Sequence, residues 1–108
     1  MVAPYQRETS CPYYVGYVNN MLRYYFSHDR DAVPDGTYRT NWDVCDKVLH
    51  RLRDNERELI RAVYQSVLNG DGFSEAVQRG AVSVRMQQFR AWKVIRFVTK
   101  LIARERGL

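Results

Sequence analysis

The spacing of apolar residues constrains the fold of this chain most, because it follows a helical repeat in each segment between turns. Three breaks marked by Gly, Asn, Asp or Pro divide the sequence, at Ser10-Cys11-Pro12, at His28 to Arg39 and at Asn69 to Gly72. No run of β-branched residues bounded by hairpin signals lies between them. The 108 residues are therefore predicted to form an all-α fold, a small bundle of about five helices.

Each predicted helix is bounded by turn residues or capping residues. The first two helices are predicted over Pro12 to Phe26 and Asn41 to Leu52. The third is capped by Asp54 or Asn55 and ends at Gly70. The last two are predicted over Ser74 to Arg85 and Gln88 to Arg104. In the third helix, Asn55 and Glu58 have the spacing of a capping box. We expect residues 1–40 to supply an aromatic helix and a loop that pack on, or dimerise, a domain formed by residues 41–108.

Positive charge is concentrated in the last third of the chain. Residues 1–72 contain nine Lys or Arg against ten Asp or Glu, a net charge of −1, whereas residues 73–108 contain eight against two, a net charge of +6. Solubility does not require such a gradient, so the basic tract favours a polyanionic partner, with nucleic acid as the first candidate. An ordinary solvated helix face is the alternative, although such a surface usually mixes both signs of charge.

The last predicted helix has two sides of different chemistry. A step of about 100° per residue places on one continuous side, which we expect to be buried, Ala91, Val94, Ile95, Val98, Leu101 and Ile102. The opposite side has no carboxylate and collects Phe89, Trp92, Lys93, Arg96, Lys100 and Arg104. We expect Phe89 and Trp92 to pack in the core against the first helix rather than to stack on bases.

The last two helices have the pattern of a helix-turn-helix, in either of two registers. In the first, Ala76 and Gly80 are the packing alanine and the turn glycine, and the recognition helix starts near Ser83. In the second, Ala81 is the packing alanine, and Val84 and Met86 flank the turn. The recognition helix then begins near Gln87 or Gln88. The second register buries more apolar side chains and is preferred, although it places Arg85 where glycine is usual and Gly80 inside a helix.

The residues Val48 to Tyr64 and Trp92 to Leu108 include two stretches that resemble region 4 of sigma-70-type factors. Val48 to Tyr64, VLHRLRDNERELIRAVY, looks like its opening helices, in which a short helix ends in leucine and an acidic, arginine-rich segment starts a longer one. Trp92 to Val98, WKVIRFV, followed by IARERGL at Ile102 to Leu108, is similar to small region 4-like proteins of phages and conjugative elements in Firmicutes. The resemblance covers Asn41 to Leu108 and implies a DNA-binding regulator whose last helix enters the major groove.

The pattern and the resemblance together predict a transcriptional regulator that binds double-stranded DNA, with RNA polymerase as a further candidate partner. The residues expected to face the duplex are Arg85, Gln87, Gln88, Arg90, Lys93, Arg96, Lys100 and Arg104. The alternative is a protein-interaction module of a mobile element, which binds RNA polymerase or inhibits a host nuclease without reading DNA. The many tyrosines of the Pro12 to Phe26 helix also make it a candidate homodimer face.

Catalysis, metal binding and membrane insertion find little support in the sequence. His28 and His50 are isolated from each other and from cysteine, so neither a metal site nor a nucleophile with its base is visible. No glycine-rich phosphate loop occurs, and no apolar run approaches the roughly 20 residues that span a bilayer. We therefore expect no enzyme activity and no cofactor. We also expect a cytoplasmic location, since two distant cysteines do not form a disulfide framework.

Overall fold

Residues 13–108 fold into five α-helices joined by turns and one longer connection. The computed structural model describes residues 13–108. The helices are α1 Tyr14–Ser27, α2 Thr37–His50, α3 Asp54–Leu68, α4 Phe73–Ser83 and α5 Gln88–Arg106, with a short 3₁₀ helix at Arg30–Ala32 between α1 and α2. No described residue is in a strand, so the predicted all-α fold of about five helices is confirmed. The predicted break at Ser10-Cys11-Pro12 and the predicted first residue of the first helix, Pro12, lie outside the described residues.

Two glycines with positive φ set helix boundaries in the middle of the chain. Gly70, with φ of +105°, follows α3 and ends it as predicted. Gly36, with φ of +101°, precedes α2, which begins four residues before the predicted Asn41. The prediction placed these four residues in a loop because they are polar, but the first turn of α2 faces mostly solvent and needs no apolar side chain. α2 ends at His50, before the predicted Leu52. Leu52 lies in the turn that follows α2, and its side chain is buried in the core.

The start of the third helix differs from both predicted caps. Arg53, rather than Asp54 or Asn55, is the N-cap residue, and its backbone N–H donates to Glu56 Oε1 at 3.1 Å. The predicted capping box of Asn55 with Glu58 is therefore wrong. The helix begins two residues earlier than that box requires, so the carboxylate three positions after the cap is Glu56.

All five helices contribute to one continuous hydrophobic core. Its largest fully buried side chains are Tyr64, Leu22, Leu49, Leu59, Ile60 and Ile102. Two half-buried hydrogen bonds join α1 to its neighbours: Tyr25 Oη donates to Asp46 Oδ1 at 2.7 Å, and Tyr64 Oη donates to Asn19 Oδ1 at 2.8 Å. Burial raises the pKa of the Cys45 thiol to about 12, so the thiol stays protonated and packs as a small apolar group. The aromatic helix α1 thus shares its core with residues 41–108.

Gly80 lies inside α4 because α4 approaches α3 closely at this point. A Cβ added to Gly80 would lie 2.9 Å from Val63 Cγ2 and 3.4 Å from Leu59 Cδ1. Val63 is β-branched and fully buried, so its side chain has little freedom to move away. The low helix propensity of glycine is tolerated here because a larger residue would push the two helices apart.

We predict that Gly80→Ala lowers the free energy of unfolding by about 1 to 3 kcal/mol, because overpacking outweighs the gain in helix propensity. Gly16→Ala is the matched control, since Gly16 is exposed in α1 and an added Cβ meets nothing within 4 Å. That variant should be stabilised by about 0.5 kcal/mol. Denaturant unfolding followed by circular dichroism measures both variants. A Gly80→Ala protein as stable as wild type would contradict the close approach of α3 and α4.

Candidate nucleic-acid interface

α4 and α5 are joined by a four-residue turn, residues 84–87. The start of α5 at Gln88 is that of the second predicted register, although α4 ends at Ser83 rather than at the predicted Arg85. The first register is wrong because Ser83 is the last residue of α4 and not the start of the next helix. Among the packing residues predicted for the second register, Ala81, Ala91 and Val94 are buried. Val84 and Met86 are half-buried and pack against the core. Burial of these side chains outweighs the missing turn glycine, and it fixes where α5 begins.

Arg85 is the residue of this turn with an unusual backbone conformation. Its φ of +57° is the only positive φ at a non-glycine position among residues 13–108. With this conformation the chain reverses, and Met86 N–H donates to the carbonyl of Ala81 at 2.8 Å. A left-handed backbone costs a residue with a Cβ about 1 kcal/mol relative to glycine. The turn therefore holds an exposed arginine side chain at a site where glycine would be more stable.

The last helix buries its aliphatic side, as predicted. Val98, Ile102 and Ala91 have no exposed surface, Val94 and Ile95 are also buried, and Leu101 is half-buried. The predicted DNA-facing residues are all exposed, and we call this set of eight the cationic face: Arg85, Gln87, Gln88, Arg90, Lys93, Arg96, Lys100 and Arg104. Helical geometry places its last four cations within about 80° of one another, over about 16 Å of the helix axis.

The cations of the cationic face are not neutralised by the rest of the described chain. Within residues 13–108, none of its six Lys and Arg side chains lies within 4.0 Å of a carboxylate oxygen. Other cations of the same part do form ion pairs: Arg30, Arg39, Lys47, Arg51, Arg57, Arg61 and Arg79. Unpaired positive charge is thus concentrated on α5 and the turn before it.

Glu105, the acidic residue of α5, is directed towards α2 rather than into the cationic face. Its Oε2 accepts a hydrogen bond from Arg51 at 3.0 Å, and its Oε1 accepts one from Lys47 at 3.2 Å. These two hydrogen bonds lower the pKa of the Glu105 carboxyl below its ordinary value, and the bond from Arg51 has the larger effect. Arg106 Nε donates to Asn41 Oδ1 at 2.6 Å, which adds a second link. The C-terminal end of α5 is thereby held against α2.

Two phenylalanines are exposed within or beside the cationic face. Phe89 is 61% exposed and Phe97 is 52% exposed. The prediction that Phe89 packs in the core is wrong, because residue 89 lies on the side of α5 opposite the buried Val98. Trp92 lies at the edge of the buried side and packs with its ring centroid 5.8 Å from that of Phe73 in α4. Lys93 Nζ lies 5.7 Å from the centroid of the Phe89 ring.

A second exposed surface, which we call the aromatic surface, consists of Tyr13, Tyr17, Tyr24, His28 and Tyr38. Tyr13 is 84% exposed, and Tyr17 and Tyr38 are also exposed. Tyr24 stacks on Tyr38 with 5.0 Å between ring centroids, and on His28 with 3.9 Å. The α1 aromatics Tyr14, Tyr25 and Phe26 instead pack against the core. The tyrosines of α1 are thus divided between the core and a solvent-exposed surface.

No family model, curated protein or solved structure matches this chain. Across residues 13–108, no helix is both long enough and apolar enough to cross a bilayer. In the same range, no group of three or more His, Cys, Asp or Glu side chains is placed to bind a metal ion. The function of the protein must therefore be inferred from the geometry and charge of the two exposed surfaces.

We predict that Arg85→Gly raises the free energy of unfolding by about 1 kcal/mol, because glycine adopts the φ of +57° without a steric penalty. Arg85→Asn should gain less, and Arg85→Val should be less stable than wild type, since a β-branched residue is strained in this conformation. Denaturant unfolding of the series measures the order. A glycine variant no more stable than wild type would contradict the left-handed turn.

Proposed function

We propose that this protein binds double-stranded DNA through the cationic face and regulates transcription. The observation that supports this most is that six exposed cations have no carboxylate partner among residues 13–108. A cation that is already paired must give up its partner before it binds a phosphate, whereas these six need not. The resemblance of residues 41–108 to region 4 of sigma-70-type factors favours the same function.

The order of side chains along α5 fits the chemistry of a duplex. Gln87 and Gln88 stand at the N-terminal end, where a recognition helix contacts base edges, and an amide pairs with adenine in a bidentate way. Lys93 and Arg96 follow within reach of guanine or of phosphate. The remaining cations further along the helix, Lys100 and Arg104, then bind phosphates and position the helix without reading sequence.

A protein partner is a second candidate function, and the aromatic surface favours it. Tyrosine is enriched among residues that dominate protein interfaces, and Tyr13 is 84% exposed. RNA polymerase, another protein or a second copy of this chain would bind there. The cationic face and the aromatic surface are formed by different helices, so mutations in one test its function without removing the other.

Binding to duplex DNA should depend steeply on salt. If the cationic face neutralises four to six phosphates, the logarithm of the affinity falls against the logarithm of salt concentration with a slope of about −4 to −5. Lys93→Glu/Arg96→Glu should reduce the magnitude of this slope by about 2 and weaken binding roughly 50-fold at 0.1 M salt, because two phosphate contacts are lost. Fluorescence anisotropy with a labelled duplex at several salt concentrations measures both quantities.

The control for this experiment is Arg23→Glu/Arg53→Glu, which changes the net charge by the same amount. Both arginines are exposed, and they lie in α1 and before α3 rather than on the cationic face. At 0.1 M salt, charges more than about 10 Å from the duplex are largely screened, so this variant should bind nearly as wild type does. Equal loss in both variants would contradict binding through α5, and no wild-type binding at low salt would favour the protein partner.

A further inference from the structure

Phe89 places an apolar ring in solvent at the start of the cationic face. It is the second residue of α5 and is 61% exposed, whereas its neighbours Ala91 and Val94 are buried. Most of its ring remains in water after folding, so the side chain gains little from the core. The same ring is therefore available to remove apolar surface from water when a partner binds.

The surroundings of Phe89 restrict the chemistry of that partner. Lys93 lies one turn further along, with Nζ 5.7 Å from the ring centroid. The adjacent residues in the chain, Gln88 and Arg90, are both exposed, and the first turn of α5 contains no acidic residue. A matching surface must combine negative charge with a hydrogen-bonding group for an amide and an apolar group within reach of one ring.

The major groove of DNA offers this combination at an A·T pair. Thymine presents a C5-methyl group there, beside the adenine edge that an amide side chain binds. We propose that Phe89 contacts the C5-methyl group of a thymine while Gln88 pairs with adenine nearby, so that the cationic face selects thymine at the start of α5. This inference rests on the proposed function, since it requires α5 to lie in the major groove. The Lys93 ammonium, with Nζ 5.7 Å from the ring centroid, then reaches an adjacent phosphate while it stays close to the ring.

Stacking on an unpaired base is the main alternative use of this ring. Surfaces that bind single strands present aromatic rings on which successive bases stack. The other exposed ring of α5, Phe97, lies eight residues further on, about 12 Å along the helix axis and about 80° around it. Two rings so arranged do not form a continuous platform, and the duplex contact is favoured.

The test uses the duplex that wild-type protein enriches from a library of random duplexes. Each thymine of that duplex is replaced singly by uracil, which lacks only the methyl group, and affinity is measured by anisotropy. At one position the replacement should weaken wild-type binding about fourfold, the effect of one buried methyl group. Phe89→Ala should bind the thymine and uracil forms equally. Phe97→Ala, which removes another exposed ring elsewhere on α5, should keep the fourfold difference.

The outcomes separate this inference from the proposed function. The thymine contact would be overturned if no uracil replacement changed the affinity of the wild-type protein. It would also be overturned if Phe89→Ala still bound the thymine form more tightly than the uracil form. Tighter binding to the single strand of the same sequence would assign the ring to base stacking instead. Failure to enrich any duplex would overturn the proposed function itself.

Discussion

The burial of the aliphatic side of α5 determines where its charges lie. Val98 and Ile102 have no exposed surface, so rotation of the helix about its axis is fixed by the core. The opposite rotation would place Arg96 and Lys100 in an apolar interior, where an unpaired charge costs several kcal/mol. The cations of α5 are therefore held in solvent by packing alone. The described chain provides no carboxylates that neutralise these cations, although it does so for seven other Lys and Arg side chains, so the charge of α5 stays unpaired at the surface.

The position of α5 depends in turn on how α4 packs. Gly80 lets α4 approach α3 closely, and this anchors the helix that precedes the turn. Arg85 then reverses the chain in a left-handed conformation, so the N-terminal end of α5 begins at the surface. At the other end, Glu105 is bonded to Lys47 of α2 and to Arg51, the residue that follows α2. One end of α5 is thus open to a partner and the other is fastened to the protein, which is why base contacts are assigned to the first turns of α5.

Features that follow from helical periodicity were predictable from the sequence, whereas those set by contacts between helices were not. The two sides of α5 and the turn at residues 84–87 follow from which positions must be apolar. The early start of α2 was missed because an exposed helical turn has no apolar pattern, and the Arg53 cap was missed because two preferred capping residues follow it. Phe89 was assigned to the core on residue type, although its angular position opposes this. Distances between helices explain why residue 80 is a glycine and show that the cations of the cationic face have no carboxylate partner. The sequence alone does not contain these distances.

DNA binding through the cationic face is tested most directly by finding which residues a duplex contacts. Amide-resolved NMR spectra recorded while duplex DNA is added report the environment of each backbone N–H. If DNA binds through the cationic face, the signals affected at the lowest DNA concentrations will belong to the turn and the exposed side of α5, between Arg85 and Lys100, while those of α1 will change little. Perturbations centred on Tyr13 to Tyr24, or spread evenly over the surface, would contradict the assignment of DNA binding to the cationic face.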